Sequence, residues 1–259
     1  MTEFTLIPSS GVALPASPFH ARHLINGAWK DSAVGATSDR LSPSHGVVVS
    51  QAAKGGRAEA EAAIAAARAA FDDGRWSQLS GKARAAVLLK VADLIETNVE
   101  RMALIETLES GKPITQARGE VGGAADLWRY AASLARTLHG DSHNSLGADM
   151  LAVVLKEPIG VVSIITPWNF PFWILSQKLP FALAAGCTCV VKPSELTPST
   201  TVMLGEFLIE AGLPAGVVNI VLGFGRPVGA TLAADPRVDM VTFTGSTAVG
   251  RGIAAAASA

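Results

Sequence analysis

The chain of 259 residues exceeds one typical domain and predicts one to two. With 49% hydrophobic and 17% charged residues it is too apolar to remain disordered. The 21 Lys and Arg against 22 Asp and Glu leave a net charge of −1 with no basic stripe, so nucleic acid is not an expected partner.

Residues 1–21 read as a Pro- and Ser-containing arm. Met1, Thr2 and Glu3 carry no basic segment, and Pro8, Pro15 and Pro18 interrupt the apolar residues, so no secretory leader is expected and the cytoplasm is the default compartment. Short strands are predicted over 24–29 and 47–52. The period then changes to helical over 58–71, with Ile64, Ala67 and Phe71 on one stripe and Gly74 as the stop. Helices follow over 82–97, 101–108 and 117–137, with a turn at Ser110, Gly111, Lys112 and Pro113 between the last two. Turn residues at 144–149 and β character at 150–155 predict a hairpin within 139–158. His139 and His143 stand four apart, but Gly140 and Asp141 oppose a helix, so they read as solvated loop residues and no metal site is expected.

After Gly160 the pattern alternates. Strands are predicted over 161–166, 188–192, 217–222 and 238–244, and helices over 172–185, 198–211, 227–234 and 246–257. Strict alternation predicts an α/β fold: a parallel sheet with helices on both faces and ligands at the carboxyl ends of the strands. Cys187 and Cys189 fall on one face of the second strand and read as core packing. The most apolar stretch, 179–191, is shorter than the roughly 20 residues a bilayer requires, so the mean hydropathy of +0.35 reads as interior and no membrane partner is expected.

The carboxyl-end loops hold the chemistry. The first reads Thr166, Pro167, Trp168, Asn169, Phe170, Pro171; an Asn amide at a strand end can donate to a developing oxyanion, or simply tie its own turn. The second reads Lys192, Pro193, Ser194, Glu195, a donor and an acceptor able to bind vicinal ribose hydroxyls, or a solvated pair. An acidic residue there favours a free 2′-hydroxyl, hence NAD, with NADP as the alternative. The third loop, 223–229, carries GxGxxxG, a weak pattern alone. The fourth runs Phe243, Thr244, Gly245, Ser246, Thr247 into a helix whose N-terminus can meet a phosphate or be capped by Ser246 or Thr247.

TPWNFP at 166–171, KPSE at 192–195, LPAGVVNIVLGFG at 213–225 and FTGST at 243–247, in this order on successive strands, resemble the aldehyde dehydrogenase superfamily of the betaine-aldehyde and general aldehyde dehydrogenase kind. The resemblance extends from Leu24 through LING at 24–27, LESGKP at 108–113 and the hairpin before EPIGV at 157–161. It implies NAD(P)-dependent oxidation of an aldehyde to a carboxylic acid on a Rossmann-type parallel sheet preceded by a helical region and an oligomerisation-type hairpin. The division implied is an arm at 1–21, N-terminal strands and helices of the cofactor domain at 22–138, the hairpin at 139–158 and the NAD-binding core at 159–259. By the same resemblance Asn169 helps hold the oxyanion of a thiohemiacetal and Lys178 resembles a proton-relay Lys, though an ordinary helix-surface Lys reads as well. The implied cofactor contacts are Ile165, Thr166, Pro167, Trp168, Lys192, Ser194, Glu195, Gly225, Phe243, Gly245, Ser246 and Val249.

The family's reaction also needs a Cys nucleophile and a water-activating Glu, which the resemblance places beyond Ala259. The expectation is therefore an N-terminal half, inactive alone, with the catalytic domain missing and the strand at 238–244 left at an open edge. Implied partners are an aldehyde substrate and either further copies of the chain or a complementary catalytic half. An NAD-binding protein without turnover and a nonfunctional remnant are the alternatives.

Overall fold

The computed structural model describes residues 17–258. The chain opens with five strands: β1 (Phe19–Ala21), β2 (His23–Ile25), β3 (Ala28–Lys30), β4 (Thr37–Leu41) and β5 (Val48–Ala53). Four helices follow, α1 (Arg57–Asp72), α2 (Gly81–Thr97), α3 (Val99–Ser110) and α4 (Ile114–Thr137), and then a hairpin of β6 (Asp141–His143) and β7 (Ala152–Val154). The alternating region runs β8 (Val161–Ile165), α5 (Pro171–Ser176), α6 (Leu179–Ala185), β9 (Thr188–Lys192), α7 (Ser199–Glu210) and β10 (Val218–Ile220). A π-helical turn at Gly225–Gly229 leads into α8 (Ala230–Ala234), β11 (Met240–Phe243) and α9 (Thr247–Ala257).

Six strands form the central sheet in the order β11-β8-β9-β10-β2-β3, with β11, β8, β9 and β10 parallel and the β2–β3 hairpin added antiparallel to β10. β8, β9 and β10 are buried along their whole length with helices on both faces, whereas β11 at the sheet edge is partly exposed. Val161, Val190 and Val221 meet Ala60, Ala63, Ile64 and Ala67 of α1 in one core. Val162, Ile164, Cys189, Val191, Val218 and Ile220 belong to a larger core with α2, α4, α6 and α7 on the other side. Trp76 and Trp128, both fully buried, close this second core, their indole N–H groups donating to Leu183 O at 3.0 Å and Ser176 Oγ at 3.2 Å. Burying a side chain of that size stabilises the fold by about 2–3 kcal/mol.

Several elements depart from the sequence reading. The strand expected over 24–29 is two strands, β2 and β3, because Asn26 (φ 53°) and Gly27 (φ 74°) make the left-handed turn of a two-residue hairpin. The helix expected over 172–185 is broken at Gln177 and Lys178; Pro180 has no N–H to extend α5 and instead sits in the first turn of α6. The helix expected from residue 227 begins two residues earlier as the π-turn. The polar strand β4, pairing antiparallel with β5, carries no apolar alternation to announce it. His143 lies in β6 rather than a loop, and both it and His139 are exposed. Of the arm expected over 1–21, residues 1–16 lie outside the described residues and Phe19–Ala21 form β1, parallel to β5. No helix among the described residues is long and apolar enough to cross a membrane.

Candidate functional site

The strand order places a switch point in the sheet. From β8 the chain steps to β9 and β10 on one side, then crosses to β11 on the other. A crevice opens beyond the carboxyl ends where the order reverses, here between Ile165 at the end of β8 and Phe243 at the end of β11. The two tips are laced to their neighbours: Thr166 N donates to Lys192 O at 3.2 Å, and Thr244 N donates to Ile165 O at 3.1 Å.

A groove with about 760 Å³ of free space opens there, lined by Ile165, Gly225, Gly229, Ala230, Val249 and Ile253 among others. Its walls are the π-turn, α8 and α9, and two cations, Arg57 and Arg226, reach its rim. A Cβ at Gly225 would meet nothing within 4 Å, so this glycine borders open space, whereas one at Gly245 would fall 2.3 Å from the ring of Phe243. Ile165, Gly225 and Val249 thus meet in one groove, as three of the residues predicted from sequence. Phe243, Gly245 and Ser246 line a shallower depression beside it, across α9. Ser246 caps α9, its hydroxyl accepting from Val249 N at 3.4 Å.

The loop after β9 lines a separate crevice, and only the Lys192 stem approaches the groove, 3.6 Å from where a Cβ would stand on Gly229. Lys192 is 3% exposed; its Nζ donates to Pro193 O at 2.9 Å and lies 3.5 Å from Glu195 Oε2. Burial lowers the pKa of this ammonium, and the Glu195 carboxylate opposes that shift. Arg40 of β4 donates to the Glu195 carbonyl at 2.8 Å and pins the loop from outside the sheet. Ser194 turns its hydroxyl to accept from Leu196 N at 3.2 Å and so serves its own turn. Lys54 lies over the Phe224 ring, 5.3 Å from its centroid, and lines a narrow crevice with Ser194 and Glu195.

Beyond β8, Thr166 is buried, and its hydroxyl has no hydrogen-bond partner within the protein. Pro167 is half-buried; Trp168 and Asn169 are exposed, raised on the loop that Pro171 closes by opening α5. Phe170 rests against Lys112, whose Nζ is 4.9 Å from the ring centroid. Lys112 is held in turn by Glu106 at 2.9 Å and by Glu120. Burial pushes the Glu106 carboxyl up, against the pull of Lys112. Lys178 stands at the α5–α6 break rather than along a helix surface; its Nζ donates to Thr242 Oγ1 of β11 at 2.9 Å, and burial lowers its pKa. Cys187 and Cys189 are free, buried in the larger core and remote in kind from these polar groups. Arg57 and Arg226 were not among the residues singled out by sequence; Arg226 lies inside the GxGxxxG run, while Arg57 comes from a helix more than 160 residues away and carries no local signal.

Comparison with known proteins gives one answer over about nine-tenths of the chain. The sequence profile described as the aldehyde dehydrogenase family matches residues 29–259. Aldehyde dehydrogenase 1 of Tanacetum cinerariifolium is 43% identical over 236 residues, 91% of this chain and 47% of that protein. Betaine aldehyde dehydrogenase of Bacillus subtilis is 41% identical over 234 residues, 90% of this chain and 48% of that protein. The crystal structure of an NAD-dependent aldehyde dehydrogenase from Sinorhizobium meliloti superposes with a TM-score of 0.92 at 51% identity, over 93% of this chain and 48% of that one. Betaine aldehyde dehydrogenase from Staphylococcus aureus, crystallised with NAD+, superposes with a TM-score of 0.89 at 38% identity, over 92% of this chain and 47% of that one. The chain spans about half the length of the curated relatives it matches.

Proposed function

The chain belongs to the aldehyde dehydrogenase family, and from that membership we propose that its 259 residues hold the dinucleotide for NAD-dependent oxidation of an aldehyde to a carboxylic acid. The observation that carries the proposal is the groove at the switch point, where Ile165, Gly225 and Val249 from three separate segments line one space. The residues present fit a dinucleotide. The unpartnered Thr166 hydroxyl and the open space above Gly225 are polar and steric provisions that the protein itself does not use up, and the Glu195 carboxylate, held loosely at 3.5 Å from Lys192, keeps acceptor capacity for a ligand hydroxyl. NAD, when bound, supplies the hydride acceptor.

The chain's own residues divide the work. Lys192 and Glu195 bind the adenosine ribose, the ammonium donating and the carboxylate accepting, and the carboxylate disfavours a 2′-phosphate. Ile165, Gly225 and Val249 enclose the adenine, and Gly245 with the Ser246-capped N-terminus of α9 meets phosphate oxygens. Phe243 supports that turn from below Gly245. Thr166, Pro167 and Trp168 border the nicotinamide end. Asn169 presents an amide donor to the oxyanion that develops on the aldehyde oxygen, an effect worth about 3 kcal/mol where such a donor is preformed. Lys178, anchored on Thr242, relays a proton. Exposed Leu151, Val153 and Leu155 on the β6–β7 hairpin support self-association.

Titration of the purified chain with NAD, read by calorimetry and thermal unfolding, tests the proposal. Ligand at about a hundred times Kd should stabilise the fold by about 2.7 kcal/mol. Loss of a hydrogen bond to the Glu195 carboxylate costs about 1.5 kcal/mol or more, so Glu195→Ala should weaken binding about tenfold. No stabilisation by NAD, or an unchanged affinity in the variant, refutes the assignment. With both thiols enclosed, the 259-residue polypeptide is expected to bind without aldehyde-dependent NADH formation, and the same samples report on that.

A further inference from the structure

Helix α7 begins without a cap of its own. Its N-cap position is Pro198, which has no side-chain acceptor for the free N–H groups of the first turn. The acceptor comes from 90 residues away: Glu109, at the end of α3, accepts from Ser199 N at 3.1 Å and from Ser199 Oγ at 2.6 Å. The same carboxylate accepts from Ser50 Oγ of β5. Glu109 is 5% exposed, Ser50 and Ser199 are fully buried, and Arg40 of β4 contributes a favourable charge to the carboxylate. Three elements, α3, β5 and α7, therefore converge on one buried carboxyl group. The negative charge also lies at the positive end of a 12-residue helix.

The place of this cluster matters more than its strength. Ser199 follows the 192–195 loop by four residues, through Leu196, Thr197 and Pro198. Arg40, which faces Glu109, is the residue that donates to the Glu195 carbonyl. The loop bearing the Lys192–Glu195 pair is thus fixed at its start by β9, in its middle by Arg40 and at its far end by Glu109. No contact joins Glu109 to the groove itself.

We propose that Glu109 is a positioning residue that sets the Glu195 carboxylate for the dinucleotide ribose by anchoring the first turn of α7. The inference rests on the cofactor reading above and extends it to a residue outside the groove. Glu109→Gln keeps the shape, removes the charge and turns one acceptor into a donor; Ser199→Ala removes one of the anchored groups and leaves the carboxyl in place.

The test is a double-mutant cycle with Glu195, measured by NAD titration at about pH 8 and paired with amide hydrogen exchange. In the otherwise native chain Glu109→Gln and Ser199→Ala should each weaken NAD binding, Glu109→Gln by about tenfold. In a Glu195→Ala background the same changes should cost less than about twofold, because the carboxylate they position is gone. Exchange over residues 193–203 should quicken in both variants while α2 and α4 keep their protection. A variant harmful only through general destabilisation loses the same factor in both backgrounds, and that result overturns the proposal. So does unchanged exchange over 193–203. If Glu195→Ala alone leaves NAD affinity unchanged, the cofactor reading fails and the positioning role falls with it, the exchange data then recording a structural contact only.

Discussion

Glu109 makes three hydrogen bonds and still has its pKa pushed up to about 7, because burial penalises the carboxylate more than Ser199, Ser50 and the Arg40 charge relieve it. The folded protein consequently binds this proton more tightly than the unfolded chain. The sign follows from that difference: the group's contribution to stability is full below the ordinary value of 4.5 and is lost as pH rises through about 7. Glu106, also buried and also shifted upward, adds to the same slope. Chemical unfolding at about pH 5 and about pH 8 should show the native chain less stable at the higher pH, by on the order of 1–3 kcal/mol from Glu109. Glu109→Gln should flatten that difference and be at least as stable as the native chain at the higher pH, since removing a buried charge relieves its desolvation. A variant that steepens the slope would contradict this account. It would also separate stability from affinity, because the same substitution is expected to weaken cofactor binding while sparing the fold.

At the scale of elements, two glycines on one helix pair behave oppositely. A Cβ at Gly81 would lie 1.9 Å from Ala135 O, so the first turn of α2 meets the last turn of α4 only because that side chain is absent. Gly119, on the exposed side of α4, has nothing within 4 Å. Gly81→Ala should lower stability by about 1–3 kcal/mol through overpacking, and Gly119→Ala should raise it by up to about 1 kcal/mol through helix propensity. Thermal unfolding distinguishes the two signs, and a neutral Gly81→Ala would mean the helices slide apart at little cost. The sequence carries the helices well: of the stripe at Ile64, Ala67 and Phe71 and that at Leu127, Ala131 and Leu134, the residues Ile64, Ala67 and Ala131 are fully buried and the others half-buried. It carries β8, β9 and β10 as runs of apolar residues for the same reason, burial on both faces. What it conceals is where packing overrides pattern. Asn26 and Gly27 are a turn signal inside an apolar run, Pro180 divides a segment of uniform apolarity, and β4 pairs through its backbone while its first four residues are all polar. Of the residues predicted from sequence, Ile165, Gly225 and Val249 meet in the groove, while Asn169 stands exposed on its own loop and Glu195 lines the neighbouring crevice. Glu109 and Arg57 escape such a reading because the contacts that place them are made across 59 residues or more, and no local pattern records a tertiary hydrogen bond.

Over the whole molecule, the apolar surface is unevenly distributed. Val153 in β7 and its flanking Leu151 and Leu155 alternate at a spacing of two, so one face of the strand is apolar, and all three are more than half exposed. Met150 and Ile159, which precede and follow this segment in the chain, are also exposed, at 59% and 57%. The hairpin is only two strands, which gives it no core of its own. A two-stranded ribbon with an unburied apolar face is marginal in water and gains stability by packing on another surface, and contiguous patches of this sort mark interfaces. The body of the molecule does not offer that surface, since β6 and β7 pair only with each other among the described strands. The expected outcome is self-association through the hairpin, concentration-dependent in analytical ultracentrifugation. Leu151→Lys combined with Leu155→Lys places two like charges on the patch and should leave a monomer. Because the hairpin is separate from both apolar cores, the same variant should keep the thermal midpoint of the main body within about 2 °C when measured at high dilution. An oligomer that survives both charges would place the interface elsewhere. A large fall in the midpoint would mean instead that the hairpin packs on the body and contributes to its core.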